Sequence, residues 1–401
     1  MANSLGFYDP NFYAATALIQ LEKALGLAAR VYRGYDKNPQ EYGSVINLRR
    51  PTYFTAQAMP ISSANTTDLT PDSVSITLDQ WFGVQFAITD KELSYTQERI
   101  VQEHIRPAAI AVSDKIDQSL NSLANKVPWY YVAVNTGTAT NQITDWPALG
   151  RRLFDNAVPT NDIHAEINGE RQQYFLSCDT FNRVTWAGDG GAAQMRGTLG
   201  EKFGFEIFAN QNVAAQAAGG AITQSTFTVT VAATVTVGQS TVSLAGSTIS
   251  GNLAVGDIIQ IGHAGTDGLT GAARTSIRNY VVATAATVTS NTIVLSVTPK
   301  FSNTVAVGVA VTFKVQSTAK YDNLAFHRNW AALAMAPLPE ASRMFGNNLG
   351  AMVASVSDPT TGLALRATIW YQGIDAKVYV RLDALWGLKV LDEDLACRYI
   401  S

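Results

Sequence analysis

The side chains most able to do chemistry in this chain are its histidines and cysteines, and their spacing completes no catalytic or metal-binding set. The histidines are scattered along the chain: His104, His164, His263 and His327. The segment His164-Ala165-Glu166 has the H-x-E spacing of zinc deaminases, but that chemistry also needs a P-C-x-x-C partner, and Cys178 and Cys397 each stand alone. Two isolated thiols predict neither a disulfide framework nor a zinc site. We therefore expect no metal and no cofactor.

Motifs for nucleophilic or phosphate chemistry are incomplete as well. The segment Gly188-Asp189-Gly190-Gly191 predicts a loop, but no G-x-x-x-x-G-K-S/T or G-x-G-x-x-G motif follows a strand there. No G-x-S-x-G elbow with acid and base partners is present. His104 lies beside the apolar face of a predicted helix, where packing or hydrogen bonding is a commoner role than catalysis. The sequence therefore predicts that the protein is not an enzyme.

The charge content of the chain limits the classes of partner. Lys and Arg number 29 against 32 Asp and Glu, a formal net charge of -3, and a dedicated nucleic-acid binder would show a concentrated basic face instead. Charged residues make up 15% of the chain, whereas about 25% is typical of soluble domains. This low content of charged residues favours a protein that buries much of its surface against copies of itself. We see no membrane span and no signal-peptide pattern, and expect a protein kept inside the cell until assembly.

A break in composition separates Gln216–Thr318 from the rest of the chain. This segment is rich in Thr, Val, Ala, Ser and Gly, and its few charged residues are Asp257, Asp267, Arg274, Arg278, Lys300 and Lys314. Short alternating runs with Gly and Asn turns between them predict a small β-barrel or sandwich, with Gly262–Gly271 as a mobile loop. Helical patterns precede the segment and a mixed segment follows it. We therefore predict a β-domain inserted into a surface loop of an α+β host, which requires loop ends that lie close together.

The first part of the host is predicted to combine helices with a long hairpin. Asn11–Leu25 has a helical period, and Gly26 is a plausible C-cap. Tyr35–Leu78 is broken by prolines and contains two short β-type runs, so it predicts a two-stranded excursion. The strongest helix is predicted over Gln97–Lys126, about 45 Å long, with a kink or a break at Pro107.

The second part of the host is predicted to mix helices and strands. A helix begins near Asp145, capped by that residue or by Thr144. Further short elements are predicted as a buried strand at Tyr174–Ser177, a strand at Phe205–Phe208, and a pair of strands at Leu363–Tyr371 and Ala376–Leu382.

The order of these parts resembles the major capsid protein of tailed bacteriophages, which has the Hong Kong 97-type fold. The inserted β-domain is similar to that of the coat proteins of short-tailed enterobacterial phages. The matching local segments are Asn323–Asn329 with Ala331–Pro337 after it, Gly362–Arg366, Tyr379–Gly387 and, weakly, Met1–Leu5.

The resemblance implies an α+β capsid fold with five parts. They are an N-terminal arm at 1–33, an E-loop at 34–80, a P-domain with a spine helix at 81–130 and 362–401, an A-domain at 131–217 and 319–361, and an inserted all-β domain, a small barrel, at 218–318.

The resemblance further implies a structural protein that assembles with itself. Copies would form pentamers and hexamers, and these would close into the icosahedral shell around the double-stranded DNA genome. The implied partners are other copies, a scaffolding protein, a portal protein, and packaged DNA touched non-specifically on the inner face. The protein would assemble as a procapsid in the host cytoplasm and reside in the virion, without a membrane.

Charged residues are the predicted contacts between subunits. They are Arg49, Arg50, Asp68 and Asp72 on the E-loop, with Arg151 and Arg152. Exposed pairs are worth about 0–1 kcal/mol each, so buried apolar area would supply most of the shell's stability. Some relatives weld their shells by Lys–Asn isopeptide bonds. Lys37 and Asn38 lie near the hairpin, but no catalytic Glu is identified, so we expect no cross-link.

Two other classes of function remain open at this point. One is a glycan-binding or surface-interaction protein built around the β-domain, which glycan binding by that domain would favour. The other is a hydrolase, which two or three carboxylates converging in one cleft would favour.

Overall fold

The structure, a computed structural model, describes part of the chain and divides it into two compact units. The described residues are 10–33, 45–49, 59, 73–89, 104–133, 144–178, 181, 196–216, 222–224, 229–247, 249–266, 273–315, 320–339, 351–357 and 363–401. We call Met1–Leu48, Ser73–Asn121 and Ala331–Lys389 the sheet unit. Arg49–Asp72, Ser122–Trp330 and Val390–Ser401 form the barrel unit.

The described helices are few and short. The α-helices are α1 Pro10–Ala24, α2 Arg106–Asn121, α3 Asp145–Asp155 and α4 Gly169–Ser177. The 3-10 helices are Ser122–Lys126, Arg328–Trp330 and Glu393–Leu395.

Strands dominate the described part of the chain. Those before and at the start of the barrel are β1 Val45–Arg49, β2 Ser73–Thr77, β3 Gln80–Thr89, β4 Tyr130–Val132, β5 Ile163–Ile167, β6 Gly200–Lys202, β7 Phe205–Ala209, β8 Ala215–Gln216 and β9 Thr223–Gln224. The next are β10 Thr230–Val231, β11 Thr241–Ala245, β12 Ile249–Ser250, β13 Asn252–Leu253, β14 Ile258–Thr266, β15 Ala273–Val282, β16 Ala286–Thr287, β17 Thr292–Thr298 and β18 Val311–Val315. The last are β19 Lys320–His327, β20 Ala331–Ala336, β21 Ala351–Ser357, β22 Ala364–Gln372, β23 Lys377–Val390 and β24 Ala396–Ile400.

The sheet unit is built on the long antiparallel pair β22 and β23. The sheet order is β20-β23-β22-β21, and β3 also pairs with β23. Helix α1 packs on α2, β21 and β22, and α2 contacts β3. The predicted closing pair of strands and the predicted N-terminal helix are therefore confirmed, with β23 extending further than predicted, to Val390. The two predicted runs of the hairpin are the strands β1 and β2, which pair with each other.

Helix α2 differs from the predicted spine helix at both ends. Pro107 stands in the first turn of the α-helix, and the two described residues before that helix, His104 and Ile105, are π-helical, so the helix type changes beside this proline. The α-helix ends at Asn121 and passes into a 3-10 helix that reaches Lys126. The predicted part at residues 97–103 lies outside the described residues.

A buried carboxylate joins the end of α1 to α2. Asp117, 2% exposed, accepts hydrogen bonds from the backbone N–H of Gly26 at 2.7 Å and of Ala28 at 2.9 Å. Burial is the largest influence on this carboxyl and raises its pKa, although the backbone hydrogen bonds oppose the shift. The carboxylate thus satisfies backbone donors just beyond a helix end, where they would otherwise be buried without partners.

The barrel is a six-stranded antiparallel sheet of order β10-β11-β17-β15-β14-β18. Val231 N–H donates to the Val309 carbonyl and Val311 N–H donates to the Val229 carbonyl, both at 2.9 Å, so the first and last edges join and the sheet closes. Alternate side chains fill the interior, including Val242, Leu244, Ile259, Tyr280, Leu295 and Phe301. This closed sheet lies within the segment that the sequence predicts as a β-domain. The predicted loop Gly262–Gly271 is too long, because β14 continues to Thr266.

The barrel unit also contains a mixed sheet of order β4-β24-β19-β5-β7-β6, with β8 paired to β19. Strand β7 confirms the strand predicted at Phe205–Phe208. The sequence predicts 362–401 as part of the P-domain. Its last strand, β24, lies between β4 and β19 in this mixed sheet. Residues Ala331–Lys389 belong to the sheet unit, whereas the sequence predicts 331–361 as part of the A-domain.

The predicted strand at Tyr174–Ser177 is wrong, because these residues end helix α4. The Asn168 side chain caps this helix by accepting a hydrogen bond from the Arg171 N–H at 3.0 Å. The run Tyr174-Phe175-Leu176 is too short to distinguish a buried strand from a buried helix by periodicity.

We expect Asp117→Ala to lower the free energy of unfolding by about 1–3 kcal/mol for each N–H left without its partner. Urea unfolding followed by far-UV circular dichroism measures the loss. Gln118→Ala, at an exposed position of the same helix, should change the value by less than about 0.5 kcal/mol. Equal losses in the two variants would contradict this role of Asp117.

The stability loss caused by Asp117→Ala should depend on pH. Because the pKa of Asp117 is raised in the folded state, the unfolded chain ionises first as pH increases, and the contribution of Asp117 to stability falls. The loss caused by Asp117→Ala should therefore be larger near about pH 4 than at pH 7. An opposite trend in paired urea titrations would contradict the raised pKa.

Candidate functional site

The barrel joins the mixed sheet through two strands that lie side by side. Strand β8 leads into the barrel and β19 leads out of it, and they pair antiparallel with Lys320 opposite Gln216 and Tyr321 opposite Ala215. The Asp322 N–H adds a hydrogen bond to the Ala214 carbonyl at 2.9 Å. The chain thus leaves the mixed sheet and returns to it at almost the same point.

A buried arginine lies at this junction. The Arg398 side chain on β24 is 0% exposed, and so is its partner, the Asp322 carboxylate on β19. Its Nη2 donates to both Asp322 oxygens, at 2.7 and 2.8 Å, and to Gln216 Oε1 at 3.1 Å. Its Nη1 donates to the Gly256 carbonyl of the barrel at 2.7 Å. One guanidinium therefore bonds both the mixed sheet and the barrel.

Gln216 carries the network from Arg398 to a second buried carboxylate. Its Nε2 donates to Asp257 Oδ1 at 2.9 Å, while its Oε1 accepts from Arg398. Asp257 Oδ2 accepts from the Ala254 N–H at 2.8 Å. Because an amide has a distinct donor and acceptor end, these bonds fix the orientation of Gln216.

Gly256 fits this junction because of its conformation and its neighbours. Its φ of +93° lies in a region that side chains with a Cβ rarely adopt. A Cβ there would lie 3.2 Å from both Asn125 Oδ1 and Gln216 Nε2. The glycine allows its carbonyl to reach Arg398.

Apolar side chains surround the polar junction. Ile258 and Val281, from the outer face of the barrel, pack with Ile400 of β24 and with the partly buried Tyr130 of β4. The cluster keeps water from the ion pair, which strengthens its electrostatic attraction. The charged groups of the junction are buried and not exposed for a reaction, so the arrangement is suited to holding the barrel on the mixed sheet.

Some of the predicted intersubunit contact residues lie within the described part of the chain and others lie outside it. Arg151 and Arg152 lie on the exposed side of α3, where Arg151 Nε is 3.7 Å from Asp155 Oδ2 and its side chain is 82% exposed. Together with Tyr131 and Ala148, these residues line an open groove of about 240 Å³. Arg49 ends β1, and the other predicted contacts, Arg50, Asp68 and Asp72, lie outside the described residues.

A buried carboxylate supports the floor of this groove. Asp145 accepts hydrogen bonds from the Tyr131 hydroxyl at 3.1 Å and from the Tyr399 hydroxyl at 2.6 Å. Burial, with the nearby Asp145 as a smaller cause, raises the pKa of Tyr131 to about 12 and also raises that of Tyr399. Thr144 occupies the N-cap position of α3 but makes no side-chain cap bond. The tyrosines remain protonated donors at neutral pH and hold α3 on the mixed sheet.

The residues first considered for chemistry form no metal site in the described part of the chain. His164 Nδ1 lies 2.8 Å from Glu206 Oε2, while Glu166 accepts from Asn210 Nδ2 at 2.6 Å. Burial lowers the pKa of His327. No cluster of three or more His, Cys, Asp or Glu side chains suited to a metal ion occurs among the described residues. None of the described helices is both long and apolar enough to span a membrane.

The cysteines are buried thiols without reactive surroundings. Cys178 and Cys397 are not joined by a disulfide, and both lie in the core of the mixed sheet. Burial raises the pKa of Cys397 to about 12, so its thiolate is scarce at neutral pH.

Sequence reasoning missed the junction residues Arg398, Asp322, Gln216 and Asp257. One signal was available, because Asp257 stands alone between Ala254-Val255-Gly256 and the apolar start of β14 in a segment with few charges. A lone charge in such surroundings often has a buried partner. Its partner could not be identified, because Gln216 is uncharged and 41 residues away in sequence, and only the fold brings the two side chains together.

Comparisons with known proteins return loose structural likenesses. Neither the known protein-family models nor the curated proteins match this sequence. A chain in a structure of Mycobacterium phage Che8 is 13% identical with a TM-score of 0.46, covering 94% of this chain and 90% of that one. A chain in a capsid structure of cyanophage P-SCSP1u is 9% identical with a TM-score of 0.46, covering 92% and 86%. One in the head structure of Helicobacter pylori bacteriophage KHP40 is 10% identical with a TM-score of 0.44, covering 100% and 93%. These likenesses are too loose to identify the family of this chain.

We expect Arg398→Met to reduce the free energy of unfolding by about 3–5 kcal/mol, because it leaves the Asp322 carboxylate buried without its cation. The double variant Arg398→Met/Asp322→Leu removes both charges and should recover much of the loss. Guanidinium unfolding followed by tryptophan fluorescence measures all three proteins. If the double variant were no more stable than Arg398→Met, the buried charge would not be the cause.

Proposed function

We propose that this chain is a capsid subunit of the Hong Kong 97 type, which assembles into pentamers and hexamers of an icosahedral shell around double-stranded DNA. The observation that carries the proposal is the order of elements along the chain. A paired hairpin, a helix packed on a sheet, a mixed sheet interrupted by a barrel, and a closing antiparallel pair follow one another as the sequence resemblance implies.

The proposed parts are an N-terminal arm at 1–33, an E-loop at 34–80, a P-domain at 81–130 and 362–401, an A-domain at 131–217 and 319–361, and an inserted domain at 218–318. The insertion is supported by the pairing of β8 with β19, which brings its two ends together as an inserted domain requires. The placement of β24 in the mixed sheet favours moving the last residues to the A-domain.

The proposed role is structural, without catalysis or a cofactor. The partners are other copies, a scaffolding protein during procapsid assembly, a portal protein, and DNA touched non-specifically on the inner face. The charge-poor composition supports self-association, because little charge has to be removed from water when copies meet. Residence in the virion, after assembly in the host cytoplasm, follows from this role.

The proposed contacts between subunits are the E-loop charges Arg49, Arg50, Asp68 and Asp72 and the groove residues Arg151 and Arg152. The groove pair is supported by its exposure on a helix whose buried side is held firmly by Asp145. An exposed charge on a rigid helix is suited to meet a carboxylate of another copy.

The glycan-binding alternative finds no support in the described part of the barrel. Its rings Tyr280 and Phe301 are buried and stack on each other at 4.5 Å between centroids. The exposed large hydrophobic side chains of the barrel are valines, namely Val237, Val255, Val294 and Val307. Glycan sites usually present aromatic faces to the sugar, and valine side chains offer no such face.

The test of the proposed function is to express the full chain alone and with candidate scaffolding genes, and to analyse the product by sedimentation and negative-stain microscopy. We expect closed shells, or sheets and spirals of hexamers. A monodisperse monomer or dimer under both conditions would refute a capsid role.

Charge reversal tests the groove contacts. Arg151→Glu/Arg152→Glu should leave the free energy of unfolding within about 0.5 kcal/mol, because both side chains are exposed, and should lower the yield of shells at least tenfold. Lys300→Glu/Lys314→Glu, a matched reversal on the barrel, should assemble normally. Normal shells from the groove variant would remove Arg151 and Arg152 from the interface.

A further inference from the structure

Among the described residues, strand β3 forms an edge of the sheet unit. It pairs antiparallel with β23 over its whole length, from Thr89 opposite Lys377 to Gln80 opposite Trp386, without a register shift. Within the described residues, β23 is the one strand that pairs with β3. The backbone groups of alternate residues therefore point away from the sheet along the other edge.

This edge lacks the features that usually prevent edges from pairing. The strand Gln-Trp-Phe-Gly-Val-Gln-Phe-Ala-Ile-Thr contains no charged residue and no proline, and its pairing has no bulge. Trp81 is 59% exposed and Phe82 is 41% exposed. A long, flat and hydrophobic edge of this kind associates with another strand unless something blocks it.

Side chains on both faces hold the strand in place. Trp81 Nε1 donates to Asp383 Oδ2 at 3.0 Å on one face. On the other face the Lys115 ammonium of α2 lies 4.9 Å from the centroid of the Phe82 ring. Gly83 lets the two strands approach closely, because a Cβ there would lie 2.7 Å from Asp383 Cβ. A preorganised edge loses little entropy when it accepts a partner.

We infer that the outer edge of β3, from Gln80 to Ile88, is an interface at which β3 of a second copy pairs antiparallel across a two-fold axis. The strand is uncharged, so self-pairing brings no like charges together and a charged partner would gain nothing from it. A two-fold pairing satisfies both edges at once and leaves neither open for further growth. The inference rests on the proposed function, since a shell subunit meets many copies of itself.

The first experiment is hydrogen–deuterium exchange of the full chain, as free subunit and in its associated form. We expect the amides of residues 80–88 that point away from β23 to exchange at least tenfold more slowly after association. Gln85→Lys/Ala87→Lys places charges on exposed positions of the edge and should abolish this protection and the association that depends on it. Ala111→Lys/Gln118→Lys adds the same charge at exposed positions of α2 and should leave both unchanged.

Cysteine cross-linking identifies the partner strand. Because both native cysteines are buried, Gln85→Cys and Ala87→Cys each introduce one accessible thiol near the middle of the edge. Mild oxidation of each variant, and of their mixture, should give disulfide dimers at least fivefold above Gln372→Cys, at the exposed last residue of β22. Protection of the edge without these dimers, or only when a scaffolding protein is added, would overturn the inference.

The outcomes separate this inference from the proposed function. Shells whose β3 amides exchange as in the free subunit would refute the β3 interface and leave the capsid role intact. Dimers joined through β3, without shells or sheets under any condition, would support the interface and refute the capsid role. A chain that stays monomeric at all concentrations would refute both.

Discussion

The buried contact between the Arg398 guanidinium and the Asp322 carboxylate is the constraint on which the barrel unit depends. Removing two charges from water costs several kcal/mol for each ion, and a buried pair is tolerated when its geometry is good and its remaining donors are used. Both conditions hold here, because the guanidinium bonds both carboxylate oxygens and also reaches Gln216 and the Gly256 carbonyl. Gly256 belongs to the barrel and Asp322 to the mixed sheet. The N–H groups of the Arg398 guanidinium therefore all find acceptors only when the barrel is packed against the mixed sheet.

Several other charges of the chain have the same internal role. Asp117 bonds backbone N–H groups beyond α1, Asp145 accepts from two tyrosines, and Asp383 pairs with Arg366 and with Trp81. The few charges of the chain are thus partly used for positioning, and large parts of its surface are uncharged. Strand β3 shows the consequence, since it contains no charged residue from Gln80 to Thr89. Such surfaces suit contacts between identical copies, where charge would cause repulsion.

Elements with a clear local pattern were predicted well. The helical period before Gly26 corresponds to α1, and the alternation of valines and leucines with threonines and serines in the barrel corresponds to inward and outward positions. Tyr174–Ser177 failed because a short apolar run is compatible with either a helix or a strand, and the Asn168 cap decides in favour of the helix. The apolar period continues on both sides of Pro107, so it could not tell a kink from a change of helix type, and the described residues turn from π-helix to α-helix beside this proline.

The sequence by itself determined the elements with a clear period, such as α1, β22 and β23, and the presence of a separate β-segment, because periodicity and composition are local properties of the chain. It also indicated Arg151 and Arg152, which the structure places on one exposed groove. Only the tertiary structure decided that β24 joins the mixed sheet, that Arg398 bonds Asp322 and the barrel, and that β3 has an open edge. These features depend on pairing between residues far apart in sequence, and no local pattern specifies which distant strand or charge will be the partner.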